Sequence, residues 1–316
     1  MTRLAVVGAG IMGANHVRIA ASMRDAELVY VVDPDLERAR RAAHTHGAEA
    51  VTTLDAIIGH VDGAIVATPS PSHVELVVPL LRAGIHVLVE KPIATTEADA
   101  ELMIEVASTE GRVLMVGHVE RFNPAVLELD RLVRDVVHID ASRLSPYSPR
   151  ITDDVVTDLM IHDLDIVRAL AGAEVADVVA TARRVRSDSA DLACALLTFS
   201  NGVTANVTAS RIGQQKVREL RITQSDSFVN VDLVRMDVTI NRVEHSEFLS
   251  EAGASYRQTG MVEIPFLEFR GEPLALEHLE FLRAIAANRT ARVSGEDGLE
   301  ALRLVKRVLR ASGESD

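Results

Sequence analysis

Cysteine is almost missing from this chain of 316 residues, where Cys194 stands alone. One thiol excludes an internal disulfide and a cysteine-based zinc site, and it suits a reducing compartment. Net positive charge is missing too. The 33 basic residues face 46 acidic ones, a formal charge of -13. That balance argues against general nucleic-acid binding and mainly favours solubility. No apolar run reaches the roughly 18 residues that span a membrane. Met1 to Val7 runs into a strand pattern with no basic, apolar and small-residue leader. A cytoplasmic protein that touches no membrane is therefore expected. Repeats and low-complexity segments are absent. Lysine is scarce, since the basic residues include only three: Lys91, Lys216 and Lys306. Arginine keeps its proton in a protein, whereas lysine can shift its pKa and do acid–base work.

What is present is ordinary for a soluble globular protein, with 47% hydrophobic and 25% charged residues. The length allows two domains. Leu4-Ala5-Val6-Val7 is a short apolar strand, followed at once by Gly8-Ala9-Gly10-Ile11-Met12-Gly13 and a helical pattern to about Met23. This is G-x-G-x-x-G between a strand and a helix. Gly8 permits the tight turn, Gly10 lets backbone approach a pyrophosphate, and Gly13 lets the helix pack on the strand. The first-turn N–H groups, at Ile11 and Met12, would face the phosphates. A second strand, Glu27 to Val32, ends at Asp33. That is where an acid hydrogen-bonds an adenosine ribose, and it favours NAD over NADP. Arg38, Arg40 and Arg41 read as a solvated helix face.

The alternation continues through strands at 63–67, 85–89 and 112–116, with helices at His73–Arg82 and from Thr95 or Thr96 to about Ser108. It predicts a doubly wound parallel sheet. Ligands bind at the carboxyl ends of such strands. Three of those ends carry Asp33, Thr68-Pro69 and Glu90-Lys91. Lys91 is either a lysine reaching for water or the base of a site.

The crossing to a second domain falls at about residue 120, giving 1–120 and 121–316. Asn123 in Arg121-Phe122-Asn123-Pro124 reaches nicotinamide or substrate, or serves turn chemistry. After a strand at Val136 to Arg143 comes a proline-rich loop with Tyr147 and Arg150. Arg143 and Arg150 either meet a phosphate or acidic substrate or lie on the surface. Thr152-Asp153 signals a helix cap, and a helix to about Leu170 follows. In it Asp158 and His162 share a face, with Asp165 close by. His162 is a histidine satisfied by its i, i+4 carboxylate or a general acid–base with its orienting acid. Asp158, His162 and Asp165 lack the further spaced histidines of a metal site, and no metal is expected. After Gly172 the period becomes two, with consecutive strands to about Arg270 and the hairpin signal Ser200-Asn201-Gly202. A large, open, mostly antiparallel sheet results, and two helices close the chain.

Ala67-Thr68-Pro69 with His73, followed by Ala83-Gly84-Ile85-His86-Val87-Leu88-Val89-Glu90-Lys91-Pro92, resembles the glucose-fructose oxidoreductase / inositol dehydrogenase / rhizopine catabolism (Gfo/Idh/MocA) family. The glycine fingerprint, the Thr-Pro step and the Glu-Lys-Pro step occur in its order and at its separations. The resemblance implies an NAD site at Gly8, Gly10, Ile11, Met12, Gly13, Asp33, Thr68, Pro69, His73, Glu90 and Lys91. It also implies that Asp158 and His162, which match the family's Asp-x-x-x-His step, join Lys91 in catalysis. Where relatives carry a run of glycines before that step, this chain has Ile151-Thr152-Asp153-Asp154-Val155-Val156. Arg121 to Pro124 and Leu159 to Ile166 look most like the UDP-N-acetylglucosamine 3-dehydrogenase branch. The implied activity is NAD-dependent oxidation of a secondary ring hydroxyl of a sugar, most plausibly a nucleotide sugar, with Asn123, Arg143, Tyr147 and Arg150 at the substrate. An inositol or free-sugar dehydrogenase would use the same catalytic residues, and some relatives keep the fold as non-catalytic NAD-binding sensors. A homodimer or homotetramer through the second sheet is implied as well.

Overall fold

The computed structural model describes residues 1–148, 153–250 and 253–314. The chain folds into two compact units. The first is Met1–Phe122 with Gly271–Arg303, the second Asn123–Arg270 with Leu304–Asp316.

The first unit opens with β1 (Thr2–Val7), α1 (Ile11–Ser22), β2 (Ala26–Val32), α2 (Leu36–Ala43), β3 (Glu49–Val51), β4 (Gly63–Val66), α3 (His73–Arg82), β5 (His86–Glu90), α4 (Glu97–Thr109) and β6 (Leu114–Gly117). The six strands form a parallel sheet in the order β3-β2-β1-β4-β5-β6. Every residue of β4, β5 and β6 is buried. That follows from helices covering both faces, and it is why these strands read as unbroken apolar runs. Strand order reverses between β1 and β4, which opens a crevice at their carboxyl ends. Pairing of Val7 with Val66 and of Val66 with Val89 sets Gly8, Ala67 and Glu90 in one row at that edge. Thr96, not Thr95, caps α4 by accepting the Asp99 N–H at 3.1 Å.

The second unit runs through α5 (Pro124–Leu132), β7 (Val136–Leu144), a π-helical turn (Val156–Met160), α6 (Ile161–Ala171), β8 (Val175–Arg183), β9 (Leu192–Phe199), β10 (Thr204–Ser210), β11 (Val217–Gln224), β12 (Phe228–Asp232), β13 (Asp237–Ser250) and β14 (Gly253–Glu263). The sheet order is β14-β13-β12-β11-β7-β10-β9-β8. All neighbours are antiparallel except β7 and β10. Burial alternates along β9, where Ala193, Ala195, Leu197 and Phe199 face the core. α6 packs on β7 and β10, and α5 on β12. On the alternate face Leu192, Cys194 and Thr198 are half-buried and Leu196 is exposed.

The last helices, α7 (Pro273–Ala287) and α8 (Gly295–Ser312), do not follow a single division at residue 120. Phe281, Leu282, Val293, Leu299 and Leu302 join the core of the first sheet. Burying a side chain such as Phe281 stabilises by about 1.5–3 kcal/mol, which draws the chain back to the unit it began in. Beyond Arg303, α8 belongs to the second unit. There Arg307 donates to the Val175 and Ala176 carbonyls.

Candidate active site

The glycine loop is built by close approach. Gly8 has a φ of +95°, and a Cβ on it would lie 2.6 Å from the Ala67 carbonyl oxygen. A Cβ on Gly13 would lie 1.8 Å from the Gly8 carbonyl oxygen. These two glycines hold the β1 loop against the β4 loop, and α1 against its own turn. Gly10 differs, since a Cβ there would meet no protein atom within 4 Å. Gly10 is the N-cap of α1, and no side chain caps that helix. Ile11 and Met12, in the first turn, are exposed. An open approach to uncapped N–H groups at a helix N-terminus fits a pyrophosphate.

Asp33 is 3% exposed. Its Oδ2 accepts the Ala9 N–H at 2.9 Å and its Oδ1 accepts the Asp35 N–H at 2.9 Å. The carboxylate is thereby fixed against the glycine loop. With Gly8, Gly10, Thr53, Thr68 and Leu76 it lines a cavity of about 530 Å³, a size and a mixed lining suited to a nucleoside. Arg38 lines the same cavity, 3.5 Å from Asp33 Oδ1. Arg40 instead pairs with Glu37 on the surface of α2.

At the next strand ends, Thr68 Oγ1 accepts from Ser72 Oγ at 2.8 Å. His73 is fully buried and does not line the cavity. Its Nε2 faces the Thr68 carbonyl at 2.9 Å, and its Nδ1 faces the Pro92 and Ile93 carbonyls at 3.1 Å. The structure therefore gives His73 a positioning task, clamping the loop after β4 to the loop after β5. Lys91 is half-buried and precedes a cis peptide to Pro92. Glu90 turns inward. One carboxylate oxygen accepts the Lys91 N–H at 3.2 Å and the other lies 2.8 Å from His16 Nε2. Space for that side chain exists because its neighbour in β6 is Gly117, where a Cβ would come within 3.2 Å of Glu90 Cδ.

In the second unit, Asp158 lies in the π-helical turn and His162 in the first turn of α6. Both are half-buried, whereas Asp163 and Asp165 are buried. π-helical turns inside α-helices are frequent at functional sites. The cap is Asp154, which accepts the Val156 and Thr157 N–H groups at 2.8 and 2.9 Å. Two residues expected at the substrate have structural tasks. Arg143 is 1% exposed and donates through Nε and Nη2 to both oxygens of Asp163, at 2.7 and 2.8 Å. A guanidinium so buried is held by its carboxylate and is not offered to a ligand. Asn123 is buried too. It donates to the Leu233 carbonyl at 2.9 Å and caps α5 by accepting the Ala125 N–H at 3.1 Å. Tyr147 is half-buried with the Arg186 guanidinium 5.6 Å from its ring centre. Arg150 lies outside the described residues.

Sequence reasoning passed over His16, Glu277 and His278, which gather behind Glu90. The only local hint was His16 itself, one turn beyond Gly13 on a helix that packs on the sheet. It also passed over the buried pair Arg211–Asp191, at 2.8 Å. Asp191 additionally accepts N–H groups of Val185, Arg186 and Ser187. Burial pushes the Asp191 carboxyl up, but the Arg186 N–H, the Arg211 guanidinium and the other donors outweigh it and hold it well below the usual carboxylate range.

Comparison with known proteins gives these features a setting. Residues 2–118 match the model of an oxidoreductase family with an NAD-binding Rossmann fold, and residues 134–226 match the GFO/IDH/MocA C-terminal domain. The chain is 33% identical over 302 residues to a UDP-N-acetylglucosamine 3-dehydrogenase of Acidithiobacillus ferrooxidans, covering 95% of this chain and 94% of that one. A solved structure of that bacterium's UDP-N-acetylglucosamine 3-dehydrogenase superposes with a TM-score of 0.88, over 98% of this chain and 97% of that one. An inositol 2-dehydrogenase of Rhizobium meliloti is 28% identical over 332 residues, covering 99% of this chain and 97% of that one. A levoglucosan dehydrogenase in complex with NADH and levoglucosan, 20% identical, shares the fold with a TM-score of 0.82, over 99% of this chain and 97% of that one.

Proposed function

Because the chain belongs to the GFO/IDH/MocA family of NAD-binding oxidoreductases, we propose that it oxidises a secondary ring hydroxyl of a nucleotide sugar such as UDP-N-acetylglucosamine to the keto sugar. The observation that carries the substrate class is the 33% identity to a UDP-N-acetylglucosamine 3-dehydrogenase along 95% of the chain. Bound NAD supplies the hydride acceptor. The protein holds it by the glycine loop, the first turn of α1 and Asp33. Asp33 faces a ribose and repels a 2′-phosphate, which favours NAD over NADP.

Three side chains carry the chemistry in this reading. Lys91 donates a hydrogen bond to the hydroxyl and stabilises alkoxide charge as it develops. His162 takes the hydroxyl proton as general base, so it acts in its neutral form. Asp158 orients His162 or a neighbouring substrate hydroxyl. Two features support these roles: Lys91 stands one residue beyond the row shared with the glycine loop, and Asp158 and His162 stay half-exposed while the acids beside them are buried. Tyr147 and Arg150 remain the residues assigned to substrate recognition. The half-exposed face of the second sheet joins copies into a homodimer or homotetramer. The single cysteine suits the cytoplasm, and no helix among the described residues is long and apolar enough to cross a membrane.

The test is NADH formation against UDP-sugars, free hexoses and inositols, with Lys91→Met and His162→Ala beside the wild type. Turnover confined to UDP-N-acetylglucosamine, lost by about 10²-fold or more in each variant with NADH binding kept, is the expected result. Turnover of an inositol, which the 28% identity to an inositol 2-dehydrogenase would favour, overturns the substrate. A variant with near-normal turnover overturns the catalytic assignment. NADH binding without turnover on any member favours a sensor.

A further inference from the structure

Behind the carboxyl end of β5 lie three buried groups that the mechanism does not use: His16 of α1, and Glu277 and His278 of α7. They form a chain with Glu90. His278 Nε2 is 2.8 Å from His16 Nδ1, and His16 Nε2 is 2.8 Å from Glu90 Oε1. Neither carboxyl oxygen of Glu277 has a hydrogen-bond partner among the described residues. Yet one oxygen of Glu277, one of Glu90 and a ring nitrogen of His16 all lie within 4.8 Å of one another.

Chemistry fixes the direction at the Glu90 end of the chain. An ionised carboxylate only accepts, so Glu90 takes the His16 Nε2–H. His16 Nδ1 and His278 Nε2 share the next proton. His278 Nδ1 is the ring nitrogen left without a partner among the described residues. Burial, then the neighbouring His16, holds His278 well below the usual histidine range, so it stays neutral. Two carboxyls this close resist ionising together. Glu90 has two donors, His16 and the Lys91 N–H, while Glu277 has none. The proton therefore sits on Glu277. Burial, then the Glu90 charge, pushes that carboxyl well above its usual range. Glu90, with a side chain 10% exposed, is the member that reaches solvent.

We propose that Glu277 is a proton store read out by cofactor charge, releasing its proton through Glu90 when the cationic, oxidised nicotinamide binds and keeping it when the neutral, reduced form binds. The inference rests on the NAD-binding reading above. The step is a proton transfer alone. Glu277 gives its proton to Glu90, Glu90 gives it to water, and the cluster becomes one charge more negative. The added charge is stabilised by the nicotinamide cation, so Glu277 tilts the protein toward oxidised cofactor as pH rises. Other charged groups stand on the elements packed against α7 or in line with Glu90: Arg18 of α1, paired with Glu272; Lys91 after β5; His118 at the end of β6; Glu120 and Arg121 in the turn Val119–Phe122; and Glu280, held by Arg289.

The experiment is calorimetric titration of the full-length protein with NAD⁺ and with NADH, in buffers of different ionisation enthalpy containing EDTA, from about pH 6 to pH 9. Release of a fraction of a proton per NAD⁺ bound, rising to a maximum within this range, is expected. No release is expected with NADH. Release is lost in Glu277→Gln. An infrared difference spectrum of the wild type needs no variant, and a protonated-carboxyl band disappears on NAD⁺ binding but not on NADH binding. Equal release with both cofactors, unchanged release in Glu277→Gln, or a carboxyl band that persists with NAD⁺ overturns the proposal. Failure to bind either cofactor overturns the NAD-binding reading and takes this inference with it, which the binding heats themselves distinguish.

Discussion

Gly10 and Gly13 stand three residues apart in one loop, and the structure separates what each does. A methyl on Gly13 would lie 1.8 Å from the Gly8 carbonyl oxygen, where ordinary contact begins at 3.4 Å. The loop and α1 would have to part by about 1.6 Å, which is overpacking of the kind that costs ~1–3 kcal/mol or more. Gly13→Ala is therefore expected to lower the melting temperature by about 2–4 °C per kcal/mol for a chain of this size, and to weaken cofactor binding as the turn deforms. A methyl on Gly10 meets no protein atom within 4 Å, and Gly10 has an unremarkable φ of -70°. Gly10→Ala is expected to leave the melting temperature unchanged or raise it slightly, since alanine restricts the unfolded chain. It nevertheless places a methyl where the pyrophosphate approaches, and the Kd for NADH should rise at least about tenfold, equivalent to ~1.4 kcal/mol. NADH fluorescence reads this cleanly, because the chain has no tryptophan to contribute emission. Gly10→Ala with wild-type affinity would refute the assignment of that opening to the pyrophosphate. Gly13→Ala with a wild-type melting curve would refute the packing argument.

Two further outcomes follow from the buried pairs of the second unit. Arg143→Ala leaves Asp163 buried without its bidentate partner, so it should destabilise by about 3–5 kcal/mol. Urea unfolding measures this, and a normal midpoint with a raised KM would return Arg143 to the substrate. Asp191→Asn should cost a similar ~3–5 kcal/mol at neutral pH, because Arg211 loses its counter-charge. The folded Asp191 titrates below its unfolded value of 3.8, so its ionised form stabilises above that value and the contribution fades as pH falls through the folded one. The gap between wild type and Asp191→Asn in urea should thus narrow below about pH 3.8, and a gap independent of acid would contradict the network.

The first sheet and its cofactor loop were legible because their information is local. Apolar runs, a glycine between a strand and a helix, and an acid at the next strand end are each decided by near neighbours in the chain. The Ser200-Asn201-Gly202 hairpin and the Thr96 cap belong to the same class. β3 and α5 were passed over, being three and nine residues long, too short for a periodic pattern to stand out. Choice of partner was not legible. Nothing near Arg143 in sequence says that it closes on Asp163, 20 residues away, nor that His16 meets His278, 262 residues away. Nor does the pattern of α7 say which core it enters, since an amphipathic helix fits any apolar surface of the right shape. The sequence by itself therefore determined the class of fold and the cofactor, and it nominated candidates for the chemistry. Tertiary structure alone decided which charged groups are spent on one another and which stay open to a ligand. Burial sets the cost of leaving a charge unpaired, and burial is a property of the whole folded chain.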